Sequence, residues 1–177
     1  MRIRLGIIGA AGLALVGATF IARPAAAQAK LDDPTIVAIF DAANTFDIES
    51  SGLAARKGTT KAIRDFGAML VHDHTMVRGQ GRDLAKKLGV TPTPPKDFGM
   101  AKDQDAAMKK LKGLSGKAFD RAYLEHEVAY HKAVIDAING TLLPALKNQE
   151  VKDLVIKVAP AFKAHMDAAQ DKLNKLK

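Results

Sequence analysis

The sequence predicts an all-α fold, a bundle of four long amphipathic helices with one long crossover between the second and the third. Three observations predict it. Apolar residues recur at i, i+3, i+4 and i+7 along four long stretches. No stretch alternates as a half-buried strand would. The links between the four stretches are short, long and short, which is the ferritin-like connectivity of a bundle.

The first helix is expected over 35–57, with Ile36, Ile39, Phe40, Ala43, Phe46, Ser50, Leu53 and Ala54 on one face. Asp33-Pro34 fits its start, and Arg56-Lys57-Gly58 gives a cationic last turn followed by glycine. A second helix is expected over 60–88, with the stripe Ile63, Phe66, Gly67, Leu70, His74, Val77, Gly81, Leu84, Leu88. Gly89 stops it, and Thr91-Pro92-Thr93-Pro94-Pro95 is stiff and extended. The crossover runs on to about Gly116 and holds a short helix at 101–112 with Met108 and Leu111 inward. The third long helix is expected from Gly116 to Ala145, with the stripe Leu124, Val128, His131, Ile135, Ile138, Leu142. Gly140 and Pro144 weaken its end. The fourth covers 149–175, with Val151, Val155, Val158, Phe162, His165 and Ala169 inward and Pro160 in its interior.

Ahead of these helices stands a different kind of segment. Met1-Arg2-Ile3-Arg4 is basic, residues 5–22 carry no charge, and Ala25-Ala26-Ala27-Gln28-Ala29 supplies small residues. A basic lead, an apolar run and an A-x-A end read as a secretory signal peptide, cleaved after Ala27 or Ala29. The expected division is a leader over 1–27 and a bundle domain over 28–177, delivered to the periplasm. An uncleaved membrane anchor is the rival reading of the leader. After cleavage no stable membrane insertion is expected.

Composition excludes several classes. The formal charge of +8 includes three leader arginines, so the remainder carries about +5, spread over helix faces with only two tyrosines among them. No nucleic-acid partner is expected from that pattern. There is no cysteine, so thiolate metal sites and disulfide scaffolds are excluded and any metal must use His, Asp or Glu. No phosphate loop, dinucleotide fingerprint or G-x-S-x-G motif occurs.

Ionisable residues nevertheless fall on the apolar stripes, one per long helix: Glu49, His74, His131 and His165. A buried carboxylate needs a partner or must stay protonated. A divalent metal held by one Glu and three His satisfies that need inside a bundle. Asp73, beside His74, is expected to hold a neighbouring histidine or to act as a ligand itself. Glu127 shares a face with His131 and is a further candidate. His72 is expected to be solvated; His126 and Tyr130 belong to a neighbouring stripe, as core or rim. The methionines are expected mainly as core fillers.

Helix levels qualify the picture. His131 and His165 both lie about 17 residues from the turn at Asn148 and are expected to face each other. Glu49 and His74 are offset by roughly 7 Å along the axis about Thr59. No Glu-x-x-His occurs, so the di-iron set is absent and a single zinc, copper, nickel or iron is expected. A metal-free Glu49–histidine hydrogen-bond network in an interaction protein, and a metal-dependent enzyme, stand as alternatives.

Four segments carry a family resemblance: NTFDIESSGLAA from Asn44, FGAMLVHDHT from Phe66, FDRAYLEHEVAYH from Phe119 and AHMDAAQ from Ala164. Together they resemble the DUF4142 family of exported bacterial proteins, related to ferritin-like bundles. The resemblance covers almost the whole chain after the leader. It implies the bundle fold, export and a site at Glu49, Asp73, His74, His131 and His165. It supplies no reaction and no partner; a homo-oligomer or an envelope protein partner is left open. Where the family shows an acidic residue before the third-segment histidine, this chain has Tyr130.

Overall fold

The computed structural model describes residues 31–176, so the leader expected over 1–27 lies outside the described residues. Among them there is no strand. The elements are α1 Asp33–Lys57, α2 Lys61–Leu88, α3 Gly99–Gly113, α4 Gly116–Ala137, a π-turn at Ile138–Leu142, the three-residue α5 Leu143–Ala145, and α6 Gln149–Lys175.

Local chemistry sets the boundaries. Asp32 caps α1 by accepting from the Thr35 amide at 3.0 Å, with Pro34 in the first turn. Thr60 and Asn148 cap α2 and α6 in the same way, at 3.2 Å each. Gly89 ends α2 in the left-handed region, φ 64°, where the absence of a Cβ removes the steric cost. The third long helix was expected to run to Ala145, but α4 ends at Ala137 and the chain widens into the π-turn. Pro144 offers no N–H to the Gly140 carbonyl and its ring crowds that oxygen, which disfavours a regular last turn.

α1 packs along α2 and α4 along α6; the two pairs join through α1 against α4 and α2 against α6. Polar ties fix the directions. Asp33 at the start of α1 accepts from the Lys147 and Asn148 amides beyond α4, both at 2.9 Å. At the other end of α1 the Thr59 amide donates to Asp120 near the start of α4 at 3.1 Å. α1 and α4 are therefore antiparallel. Lys87 pairs with Glu150, so α2 and α6 are antiparallel as well. α3 lies against α1 and α4, where Gln104 donates to the Phe46 carbonyl at 3.0 Å.

α1 and α2 approach closely at Gly67. A Cβ there would stand 2.6 Å from the Ser51 carbonyl oxygen and 2.7 Å from the Ala55 nitrogen, so only glycine fits.

The core has two apolar layers. One gathers Ile36, Val37, Val134, Ile138, Val155 and Phe162; the other gathers Leu53, Phe66, Leu70, Leu111, Phe119 and Leu124. The chain positions between them on α1, α2, α4 and α6 are also buried, but polar: Asn44, Asp47, Ser50, Ser51, His74, Glu127, His131 and His165. Two expectations fail at this level. Glu49, expected inward, is exposed, and Met69 and Met76, expected as core fillers, are 41% and 55% exposed.

A candidate metal centre in the polar layer

His74, His131 and His165 meet in the middle of the bundle. One nitrogen from each lies within 4.8 Å of the others, and all three residues are buried. Their ring centroids are 5.2–5.5 Å apart, and Phe162 stacks on His74 at 5.3 Å as an apolar wall. Asp47, Glu127 and His131 form a second group with the same 4.8 Å limit, so His131 belongs to both.

The proton on each ring is settled by what faces it. The Asn44 amide nitrogen donates to the Phe40 carbonyl at 2.8 Å, which turns the amide oxygen towards His74 Nδ1 at 2.9 Å. That oxygen only accepts, so Nδ1 carries the proton and Nε2 presents a lone pair. His131 Nδ1 donates to the Glu127 backbone carbonyl at 3.0 Å, leaving Nε2 bare. His165 Nε2 donates to Asp73 at 3.1 Å, leaving Nδ1 bare. An outer acceptor that fixes the tautomer of each imidazole is the usual surrounding of a metal-binding histidine.

The bare atoms have no donor. His74 Nε2, His131 Nε2, His165 Nδ1, Asp47 Oδ2 and Glu127 Oε2 are all buried without a hydrogen-bond partner. Asp47 Oδ2 stands 3.5 Å from both His74 Nε2 and His131 Nε2. Two ligands of one tetrahedral ion, each ~2.0–2.2 Å from it, lie about 3.3–3.6 Å apart. Lone pairs facing one another in a dry interior are costly unless a cation or a proton stands between them.

Electrostatics agree with that donor set. Burial pushes His74 down to about 2, helped by the charges of His131 and His165, and pushes His131 down to about 4. Burial also lowers His165, while Asp73 pulls it back up. The imidazoles are neutral at neutral pH and their lone pairs are available. Burial raises Asp47 to about 7 and Glu127 well above the carboxylate range; the Asp47 charge adds to the Glu127 rise. Without a cation the two carboxyls hold a proton between them; with one, they supply negative charge. Serines hold the remaining oxygens: Ser51 donates to Asp47 and Ser50 to Glu127, each at 3.1 Å. The three imidazoles, with the Asp47 carboxylate beside two of them, form a donor group suited to a divalent transition ion, and a mostly nitrogen set disfavours magnesium or calcium.

The sequence-predicted residues sort as follows. His74, His131 and His165 are brought together. Asp73, half-buried on α2, reaches the cluster only through its bond to His165. Glu49 is on the far side of α1, where it accepts from Gln104 at 3.4 Å. His72 is exposed, as expected. The carboxylate that α1 sends inward is Asp47, which the stripe reading passed over. Its signal was present: Asn44, Ser50 and Ser51 stand three before, three after and four after it.

Residues 19–171 match the family described as Domain of unknown function (DUF4142). The chain belongs to the DUF4142 family. A solved structure, the crystal structure of a DUF305 fragment from Deinococcus radiodurans, is similar to this DUF4142 chain with a TM-score of 0.71 at 13% identity. The similarity covers 81% of this chain and 95% of that one, and at that identity it bears on the fold alone. No curated protein matches the chain. None of the described helices is long and apolar enough to cross a membrane.

Proposed function

We propose that this DUF4142 chain is an exported, ferritin-like helical bundle that holds one divalent transition ion through His74, His131, His165 and Asp47. The observation that carries the reading is the set of unpartnered buried acceptors, with each ring proton drawn to an acceptor on the outside. Ferritin-like connectivity is supported by two antiparallel helical pairs with a helix-containing segment between them. Export to the periplasm rests on the basic, apolar, A-x-A leader.

In this reading Asp47 is the fourth ligand and Glu127 takes up or releases the proton the pair shares. Asp73 orients His165, and Glu49 has no part in the centre. A site enclosed by four helices suits retention of an ion, and we read the role as metal holding in the cell envelope, linked to stress.

Calorimetric titration of the chelator-stripped protein with Zn2+ and with Co2+ tests the proposal. One equivalent is expected for the native chain and none of comparable affinity for His74→Ala. Equal binding by both proteins, or none by either, would overturn it and favour the metal-free network.

A further inference from the structure

Two cavities meet at Tyr130. The inner one, about 30 Å³, is walled almost wholly by apolar atoms and reaches His74 and His131. The outer one, about 310 Å³, lies between α3 and α4 and is lined by Met100, Asp103, Gln104, His126, Tyr130 and Val134 among others. Met100, Tyr130 and Val134 line both. Along α4 the rings run in file from the outer cavity to the centre, His126 to Tyr130 at 5.5 Å and Tyr130 to His131 at 6.0 Å.

Two residues of the outer lining, His126 and Gln104, each carry a polar atom that nothing in the fold uses. His126 Nε2 and Gln104 Oε1 are buried without hydrogen-bond partners, and Gln104 is only 4% exposed. The Gln104 amide nitrogen is occupied, donating to the Phe46 carbonyl, so its oxygen is oriented by α1. Burial, with Lys110 adding, pushes His126 down to about 4, so its ring is neutral at neutral pH. Asp103 supplies an exposed carboxylate on the cavity lining. Between outer and inner cavity stands Tyr130, whose hydroxyl donates to the Ala43 carbonyl at 2.7 Å.

From these placements we infer that the α3–α4 cavity is a docking and loading site for the divalent ion. His126 Nε2 and Gln104 Oε1 are its transient ligands, Asp103 attracts the aquated cation, and Tyr130 gates passage to the core imidazoles. The inference rests on the proposed core centre and deepens it by saying how an enclosed site fills. An imidazole nitrogen, an amide oxygen and a carboxylate exchange water for a transition cation without holding it as tightly as three imidazoles do. Lys110 and Glu125 line a neighbouring cavity on the other side of His126, and the Lys110 charge opposes the incoming ion.

Stopped-flow loading of the chelator-stripped full chain with Co2+, followed by visible absorption and by final stoichiometry, tests the route. His126→Leu and Gln104→Leu are expected to slow loading by about tenfold while leaving the final spectrum and stoichiometry unchanged. Tyr130→Phe, which removes the bond to Ala43, is expected to speed it, and Lys110→Gln to speed it less. Opposite signs separate a route from general loosening, which would accelerate every variant. Loading of His126→Leu at the native rate would overturn the inference and leave the core centre standing. A lower final stoichiometry in His126→Leu would also overturn it, by making His126 a permanent ligand. A native chain that takes up no Co2+ would overturn both readings.

Discussion

Two layers of the bundle sit one helical turn apart on α4 and are built on opposite terms. Around Phe119 and Tyr123 the rings stack 6.2 Å apart, and Phe66 meets Tyr123 edge-on at 6.3 Å. The buried hydroxyl of Tyr123 is matched, since it bonds that of Ser51 at 3.0 Å. Around Glu127 and His131 the layer is equally buried, yet five polar atoms face inward without a hydrogen-bond partner elsewhere in the fold. Satisfied burial stabilises a fold; unsatisfied burial of this kind is costly and fits the proposed metal centre.

The contrast is sharpest under substitution. Phe119→Ala should lower stability by about 3–5 kcal/mol, through lost burial and the cavity left behind. Denaturant unfolding of the metal-free chain measures it, and Zn2+ stoichiometry should not change. His74→Ala should do the converse, weakening Zn2+ by about 100- to 1000-fold, one ligand's share of the ~10–16 kcal/mol typical of structural zinc. The metal-free fold should lose stability as well, through the cavity beside Phe162 and the Asn44 oxygen left unpaired, so the contrast is read in Zn2+ affinity.

Asp47 distinguishes the layers by pH. Its folded pKa is raised to about 7 by burial, so its contribution is present below the unfolded value of 3.8 and is lost as pH rises through about 7. Metal-free Asp47→Asn should therefore be more stable than native at pH 8 by roughly 2–4 kcal/mol, with the gain shrinking towards pH 4. Unfolding curves across that window check it. With Zn2+ present the same variant should be the weaker protein. A pH-independent difference would mean that Asp47 does not titrate in the folded layer.

Asp73→Asn should cost about 10- to 100-fold in Zn2+ affinity, the usual effect of losing an outer partner of a ligating histidine. Competition with a chromophoric chelator reads it. Glu49→Gln should be the mildest change, within about 0.5 kcal/mol in stability and without effect on stoichiometry, as expected for an exposed residue. A loss of bound metal in Glu49→Gln would put the α1 carboxylate elsewhere.

Period and punctuation made most of the fold legible. Gly89, Pro34 and the caps fall where the apolar stripes begin and end, so α1, α2 and α6 are found within two residues. The end of α4 was less legible. Gly140 and Pro144 announce a weak turn, but whether it breaks or widens depends on packing against α6.

The three histidines were legible because each lies on a strict apolar stripe. The α1 carboxylate was not, because Phe46 and Leu53 made Glu49 look inward. Axial level would have corrected it. Counted from Thr59, Asp47 lies about 12 residues back and His74 about 15 forward, an offset of roughly 4.5 Å, smaller than that of Glu49. Polar residues at helical spacing around Asp47 form a stripe that an apolar count does not register.

Metal content of the native protein tests the central claim most directly. The chain would be purified untagged and without chelator, beside a His131→Ala/His165→Ala double variant, and both analysed by elemental mass spectrometry. The account predicts close to one equivalent of a single transition metal in the native chain and almost none in the variant. Equal metal in both, or none in either with reconstitution also failing, would contradict it and leave the polar layer as a proton-sharing network.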